Sequence, residues 1–228
     1  MRSKRGSKRA AGGGVRRIQF THNYDSIISV ENLLGAWSEF VRGKRKKKDV
    51  QEFQHSLMDN ILALHNDLKD GTYKHRPYHA FKISDPKPRD IHKATVRDRL
   101  VHHAIYRQLY PFFDHTFIAD SYSCRKGKGT HRAMNRFRQF AYKVSKNHTR
   151  TAWVLKCDIK KFFASIDQDI LLGIVGRYIP DSRINNLLAE VVGSFRTSGI
   201  QDSHMTLYYP TGKYNVIRVG LPLGNLTS

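Results

Sequence analysis

Three prolines, Pro77, Pro86 and Pro88, stand within Tyr73 to Ile91 and bar any long helix from that stretch. A proline has no backbone N–H to donate, and its ring collides with the preceding turn. The short apolar and basic residues between them predict strands joined by tight turns. On either side the period is helical. Val30, Leu33, Leu34, Trp37, Phe40 and Val41 recur at helical spacing behind Ser29, a good N-cap, and this helix stops at Gly43. Lys44 to Lys48 reads as a solvated linker. Asp49 with Glu52 forms a capping-box-like start to a second helix through Val50, Phe53, Leu57, Ile61, Leu64 and Leu68, with Gly71 as its stop. The spacing predicts further helices over 96–113, over 130–144, after Asp167 and after Pro180. It also predicts a strand over 152–157 and a β-like stretch over 205–219 that turns around Pro210 to Gly212. The mixture is α+β, without an internal repeat or a coiled coil.

Charge narrows the partner. Forty Lys and Arg against nineteen Asp and Glu, with a pI near 10.2, call for a polyanion. Eleven Tyr and twelve Phe suit stacking on bases or sugars. At 228 residues and 39% hydrophobic, the chain is long enough to bury a core. Residues 1–17 carry seven Lys or Arg, no acid and three consecutive glycines, so 1–28 reads as a basic flexible arm that trails along phosphates. Cys124 and Cys157 are too few for a disulfide framework or a four-ligand zinc site. No apolar run approaches the roughly 20 residues a membrane span needs. The basic N-terminus has no apolar stretch behind it, which excludes an ordinary signal peptide. The expectation is a cytoplasmic protein without a membrane partner.

Asp158 is out of place electrostatically. No Asp or Glu occurs between Asp120 and Asp158, while ten Lys or Arg do, so this carboxylate closes an apolar segment in a strongly cationic field. Such a position suits a metal ligand, an ion pair or a cap on the next turn. Asp167, just before Ile170, Leu171 and Leu172, reads as an N-cap rather than a second metal ligand. His102 and His103 are adjacent and show no ligand spacing, so they read as structural or RNA-contacting.

The segment Asp158-Ile159-Lys160-Lys161-Phe162-Phe163-Ala164-Ser165-Ile166-Asp167 and the segment Gly220-Leu221-Pro222-Leu223-Gly224-Asn225-Leu226-Thr227-Ser228 resemble two ordered motifs of bacterial reverse transcriptases. Asp85 to Ile91, Arg97 to Ala104 and Asp120 to His131 are similar to the fingers blocks of that family. Several motifs in one order are far more specific than any single one. The wording is closest to diversity-generating and retron-like enzymes, because Leu223 stands where intron-type enzymes usually carry Gln.

The resemblance implies a right-hand polymerase with the helical extension over 29–72, the fingers over 73–150 and a partial palm over 151–228. It implies that Asp158 and the backbone carbonyl of Ile159 bind Mg²⁺, two ions serving the complete enzyme, as suits hard oxygen donors. Lys82, Lys87 and Arg89 are the implied triphosphate contacts, Arg suiting a bidentate grip and Lys a mobile charge. Phe163 falls at the position of an aromatic steric gate that excludes a ribose 2′-hydroxyl, while Phe162 points the other way and joins the core. Leu223 and Gly224 lie under the incoming dNTP. Gly220 and Pro222, with Arg125, Lys126 and Lys128 on a glycine-rich loop, would hold nucleic acid. Leu in place of Gln at 223 removes a hydrogen bond and points to lowered fidelity.

The implied partners are an RNA template, a primer strand and dNTP, with an accessory protein or structured RNA beside them. The implied setting is a retroelement or antiviral defence. The family's Tyr-x-Asp-Asp block does not occur before Ser228, so the 228 residues read as an N-terminal portion that binds nucleic acid and polymerises poorly alone. The alternative is a non-catalytic basic RNA-binding module that keeps the fold. A metal-dependent nuclease is disfavoured, because Asp158 has no clustered acid or His in sequence.

Overall fold

The computed structural model describes residues 18–84, 88–195 and 219–222. Four helices come first: α1 (Tyr24–Ile28), α2 (Val30–Phe40), α3 (Lys48–His55) and α4 (Leu57–Lys69). An antiparallel hairpin follows, β1 (His79–Ser84) and β2 (Pro88–Lys93), and then α5 (Val96–Asp114), α6 (Thr130–Val144), the single turn α7 (Phe162–Ser165), α8 (Gln168–Gly176) and α9 (Ser182–Gly193). The chain is α+β, as its periodicities predict.

Local chemistry sets most helix starts. Ser29 accepts from the Asn32 N–H at the head of α2, Thr95 from Asp98 N–H at α5, and Asp167 from Ile170 N–H at α8. Each side chain satisfies one of the donors that a helix start leaves without an internal partner. Asp49 does not cap. Lys47 stands at the head of α3 without a side-chain bond, and the Asp49 carboxylate is drawn into ion pairs with Lys93 and Arg99, each at 2.7 Å. Those two charges hold its pKa below the usual carboxylate range against the opposing effect of burial. The single helix expected through 68 is two helices broken at Ser56. There the Asn60 side chain donates to the Phe53 carbonyl that the break releases, which is how Asn competes with helical bonding.

Core packing follows the apolar stripes. Leu33, Ala36, Trp37 and Phe40 of α2 lie against Leu100, Val101, Ala104 and Ile105 of α5, and Ile61, Leu64 and Leu68 of α4 close the same cluster. Ile184, Leu187 and Val191 of α9 join it. The sequence-distant ends are laced together by polar bonds: Tyr24 Oη donates to Leu68 O, Tyr24 N–H to Asp181, and Arg183 pairs with Asp25. Residues 29–72 therefore share one core with α5 and α9, and so do Phe20, Tyr24, Ile27 and Ile28, so the arm expected over 1–28 does not extend through residues 20–28, whose apolar side chains pack as α1 and the turn before it.

His102 is fully buried and stacked on His75. His75 Nδ1 faces the Arg76 carbonyl at 2.7 Å and must donate there, so its Nε2 accepts from His102 Nε2 at 3.2 Å. Burial first, then the His75 ring, push His102 down to about 3, and burial and then Lys44 push His103 down to about 4. Both rings are neutral near pH 7 and serve the core, not a polyanion.

The strand expected over 152–157 is absent. Residues 151–159 run as an irregular exposed segment, with Trp153 93% and Leu155 88% exposed. A strand exists only through a ladder partner, and none of the described residues supplies one. Val219 forms the one described bridge of the region, to Asp167, while 205–218 of the expected β-like stretch lie outside the described residues.

Candidate nucleotide and nucleic-acid site

A cleft of about 720 Å³ opens between the β1–β2 hairpin, the α7 turn and the ribbon at 219–222. The hairpin register sets Lys82 opposite Asp90 and Ala80 opposite His92. Alternation puts these four on one face, and all line the cleft. Arg89, opposite Ile83, alternates to the other face, yet it too lines the cleft. Lys161, Phe163, Phe195 and Leu221 form the facing wall.

That wall is built by short-range constraints on a turn. Lys161 has a left-handed backbone (φ 53°), which stops the extended segment and starts α7. Phe163 then lines the cleft, while Phe162 is 48% exposed and meets Phe163 edge to face at 5.3 Å. Phe162 thus does not join the core: on one helical turn, unlike a strand, neighbouring side chains do not alternate between two faces. The Phe163 carbonyl accepts from Leu221 N–H at 2.7 Å and the Ile166 carbonyl from Gly220 N–H at 2.8 Å. Gly220 has φ 95°, a conformation that favours glycine, and it and Pro222 are buried. Replacing Asp167 by Ala removes the cap of α8, and a loss of about 1 kcal/mol in chemical denaturation is the expected result. A metal ligand removed from an apo protein would leave stability unchanged or raised.

Asp158 and Ile159 sit on the exposed 151–159 segment, and neither lines the cleft. Among the described residues Asp158 has no hydrogen bond or ion pair, and no group of three His, Cys, Asp or Glu is placed to hold a metal. The donors available there, one carboxylate and one backbone carbonyl, are hard oxygens that fit a Mg²⁺ keeping several waters. They do not suffice for two ions. Lys87, Leu223 and Gly224 lie outside the described residues.

The glycine-rich loop is organised from within. Arg125 donates to Asp114 Oδ1 at 2.7 Å and to the carbonyls of Asp114, Ile118 and Ser121, and its side chain is 9% exposed. Its guanidinium holds the loop together and leaves little to offer a phosphate. Lys126 is exposed above the Tyr110 ring, and Lys128 reaches the Ala119 carbonyl beside Tyr122. Beyond the loop, α6 buries no residue and carries Arg132, Arg136 and Lys143 along one side, flanked by an apolar stripe of Phe137, Phe140 and Val144, with the Arg136 guanidinium on the Phe140 ring. Arg136 is engaged by Asp120.

Lys161, Asp90, His92 and Phe195 were not singled out as site residues by sequence. His92 and Phe195 meet edge to face at 4.9 Å across more than a hundred positions, a proximity that no local pattern encodes. Lys161 was within reach, because it lies beside the recognised Phe162-Phe163 pair. A second cleft of about 400 Å³ between α5 and α8–α9 is walled by Leu109, Phe113, Leu171, Val175 and Leu188. Its one cation is Arg125, already committed, so it offers no phosphate chemistry.

No family model matches the chain. Among curated proteins it is 26% identical over 170 residues to "Putative COX1/OXI3 intron 1 protein" of Saccharomyces cerevisiae, covering 74% of this chain and 18% of that protein. It is 26% identical over 141 residues to "Protein YkfC" of Escherichia coli, covering 61% and 36%. It is 24% identical over 173 residues to "Group II intron-encoded protein LtrA" of Lactococcus lactis, covering 75% and 26%. The chain thus spans well under half the length of these relatives. Among solved structures, a chain of the "Partial Cas6-RT-Cas1--Cas2 complex" matches with TM-score 0.53 at 20% identity, covering 90% of this chain and 32% of that one. That likeness establishes a shared fold. Two of these relatives are intron-encoded proteins, in line with the resemblance to reverse transcriptases read from the motifs but not with its diversity-generating or retron-like wording.

Proposed function

We propose that the chain is the fingers and part of the palm of an RNA-directed DNA polymerase, a reverse transcriptase, and that the 720 Å³ cleft seats the incoming dNTP. The observation that carries this reading is convergence: Lys82, Arg89 and Phe163, the first and last 81 positions apart, line one cavity. Lys82 and Arg89 would neutralise the triphosphate, and the Phe163 ring would bear on the sugar where a 2′-hydroxyl would stand. The Asp90 carboxylate, paired in register with Lys82, would orient the ammonium before the nucleotide arrives. Asp158 with the Ile159 carbonyl would hold Mg²⁺. That ion, when bound, would acidify the primer 3′-hydroxyl and neutralise the leaving pyrophosphate.

Exposed Lys126, with Lys128, Arg132 and Lys143, would follow the backbone of an RNA template and primer strand. Leu223 and Gly224 remain part of the proposal as the block beneath the nascent pair. An accessory protein is a further proposed partner, since the structural neighbour is a chain of a Cas6-RT-Cas1--Cas2 complex. No helix among the described residues is long and apolar enough to cross a membrane.

A second reading, a basic RNA-binding module without chemistry, is favoured by one observation: among the described residues no group of three His, Cys, Asp or Glu is placed to hold a metal. Filter binding of an RNA–DNA hybrid at increasing salt tests what both readings share. With about six phosphates contacted, affinity falls roughly a thousandfold between about 50 and 200 mM monovalent salt. A flat salt profile contradicts both. Protection of the hybrid by dNTP, competed away by added inorganic triphosphate, separates the polymerase from the binding module.

A further inference from the structure

We propose that Gln168 is a positioning residue of the cleft, holding the Phe195 wall and the 219–222 ribbon at a fixed spacing from the Phe163 turn so that the cavity can discriminate the sugar. This rests on the cleft being the nucleotide seat. Gln168 is the first residue of α8 and is 1% exposed. It does not line the cleft and so acts through other residues. Its Nε2 donates to the Phe195 carbonyl at 2.9 Å and to the Gly220 carbonyl at 2.8 Å, on segments 27 and 52 positions away. Phe195 and Leu221, next to Gly220, both face the cavity, as does Phe163, whose carbonyl holds Leu221 N–H. One amide group therefore fastens two cleft-forming segments, at 195 and at 220, to the head of α8, and the backbone bond from Leu221 N–H carries the second of them on to the Phe163 turn.

Side-chain chemistry makes the requirement narrow. Two N–H donors on one nitrogen must reach two buried carbonyls. Glu has the shape and no donor when ionised, Leu has neither, His can serve one carbonyl, and Asn is one methylene short. The Gln168 Oε1 is buried without a partner among the described residues. A free acceptor of this kind is unfavourable, and the two donated bonds are what offset it. Because the bonds end on backbone carbonyls, the spacing they set is independent of the side chains at 195 and 220.

Equilibrium dialysis with labelled dATP and ATP in Mg²⁺, together with amide hydrogen exchange, tests the assignment on the full chain. The wild type is expected to prefer dATP, and Phe163→Ala to lose that preference. Gln168→Leu and Gln168→Glu should each lower the preference at least fivefold. They should also speed exchange at the Gly220 and Leu221 amides at least tenfold, with α5 amides still protected as proof of folding. Gln168→His, with one donor left, should fall between. If Phe163→Ala abolishes the preference while the Gln168 variants retain it, the nucleotide reading stands and the positioning role is wrong. Unchanged exchange at Gly220 and Leu221 also overturns that role. A wild type indifferent between dATP and ATP overturns the nucleotide reading and this assignment with it.

Discussion

Asp98→Ala is expected to lower folding stability by about 3 kcal/mol. Asp98 is fully buried. Its carboxylate accepts from Tyr73 Oη at 2.9 Å, Thr95 Oγ1 at 2.5 Å and Arg76 N–H at 3.3 Å, and the Arg97 guanidinium lies 3.7 Å away. Truncation leaves the Tyr73 hydroxyl and the Arg76 N–H facing a void, each costing more than a neutral bond is worth when made. Burial first, and then the Asp98 carboxylate, raise the Tyr73 pKa, so the phenol stays a donor at any ordinary pH. Tyr73→Phe removes only one donor and is expected to cost about 1 kcal/mol. Urea denaturation of the two variants measures both, and a loss below about 1 kcal/mol for Asp98→Ala would contradict the account. The consequence extends to the cleft, because residues 73–78 lead directly into β1 and anchor the hairpin on α5.

Lys82→Ala combined with Arg89→Ala is expected to weaken dNTP binding about a hundredfold. Each charge-assisted contact to phosphate is worth about 1.5 kcal/mol or more, and two of them correspond to roughly two decades of affinity. Lys82 should carry the larger share. Register puts it on the hairpin face that lines the cleft, whereas Arg89 alternates to the opposite face. Single variants assayed by dialysis against dATP should therefore rank Lys82→Ala below Arg89→Ala in affinity. Both positions are exposed and bury no apolar area in the core, so thermal unfolding of the double variant should match that of the parent within about 0.5 kcal/mol. A double variant that binds dATP as the parent does removes the hairpin from the nucleotide site.

What the sequence made legible was local. Ser29 and Asp167 are N-caps because a short oxygen-bearing side chain sits just before an apolar helical run, and nothing distant enters that inference. The hairpin follows from prolines confined to its start and flanks, and α5 from a stripe that runs from Val96 to Leu109. The failures are of two physical kinds. Asp49 has a cap's sequence context, yet the nearby charges of Lys93 and Arg99 outcompete a helix N–H. The apolar run 152–157 has β propensity, but propensity makes no strand without a partner to share its hydrogen bonds. Phe162 fails for the same reason, since its expected burial assumed strand alternation and the chain there makes a helical turn. Lys82, Arg89 and Phe163 of the cleft were readable through resemblance. His92, Phe195 and the Gln168 fastening beneath them depend on contacts across tens of residues.

The central claim is that the cleft between the hairpin and the Phe163 turn receives a deoxynucleoside triphosphate. A crystal structure of the chain with an RNA template, a DNA primer and dATP tests it most directly. The account predicts triphosphate oxygens within hydrogen-bond reach of Lys82 and Arg89, with the sugar against the Phe163 ring. A nucleotide bound elsewhere, for instance in the apolar cleft between α5 and α9 with the hairpin side chains left in solvent, would contradict it.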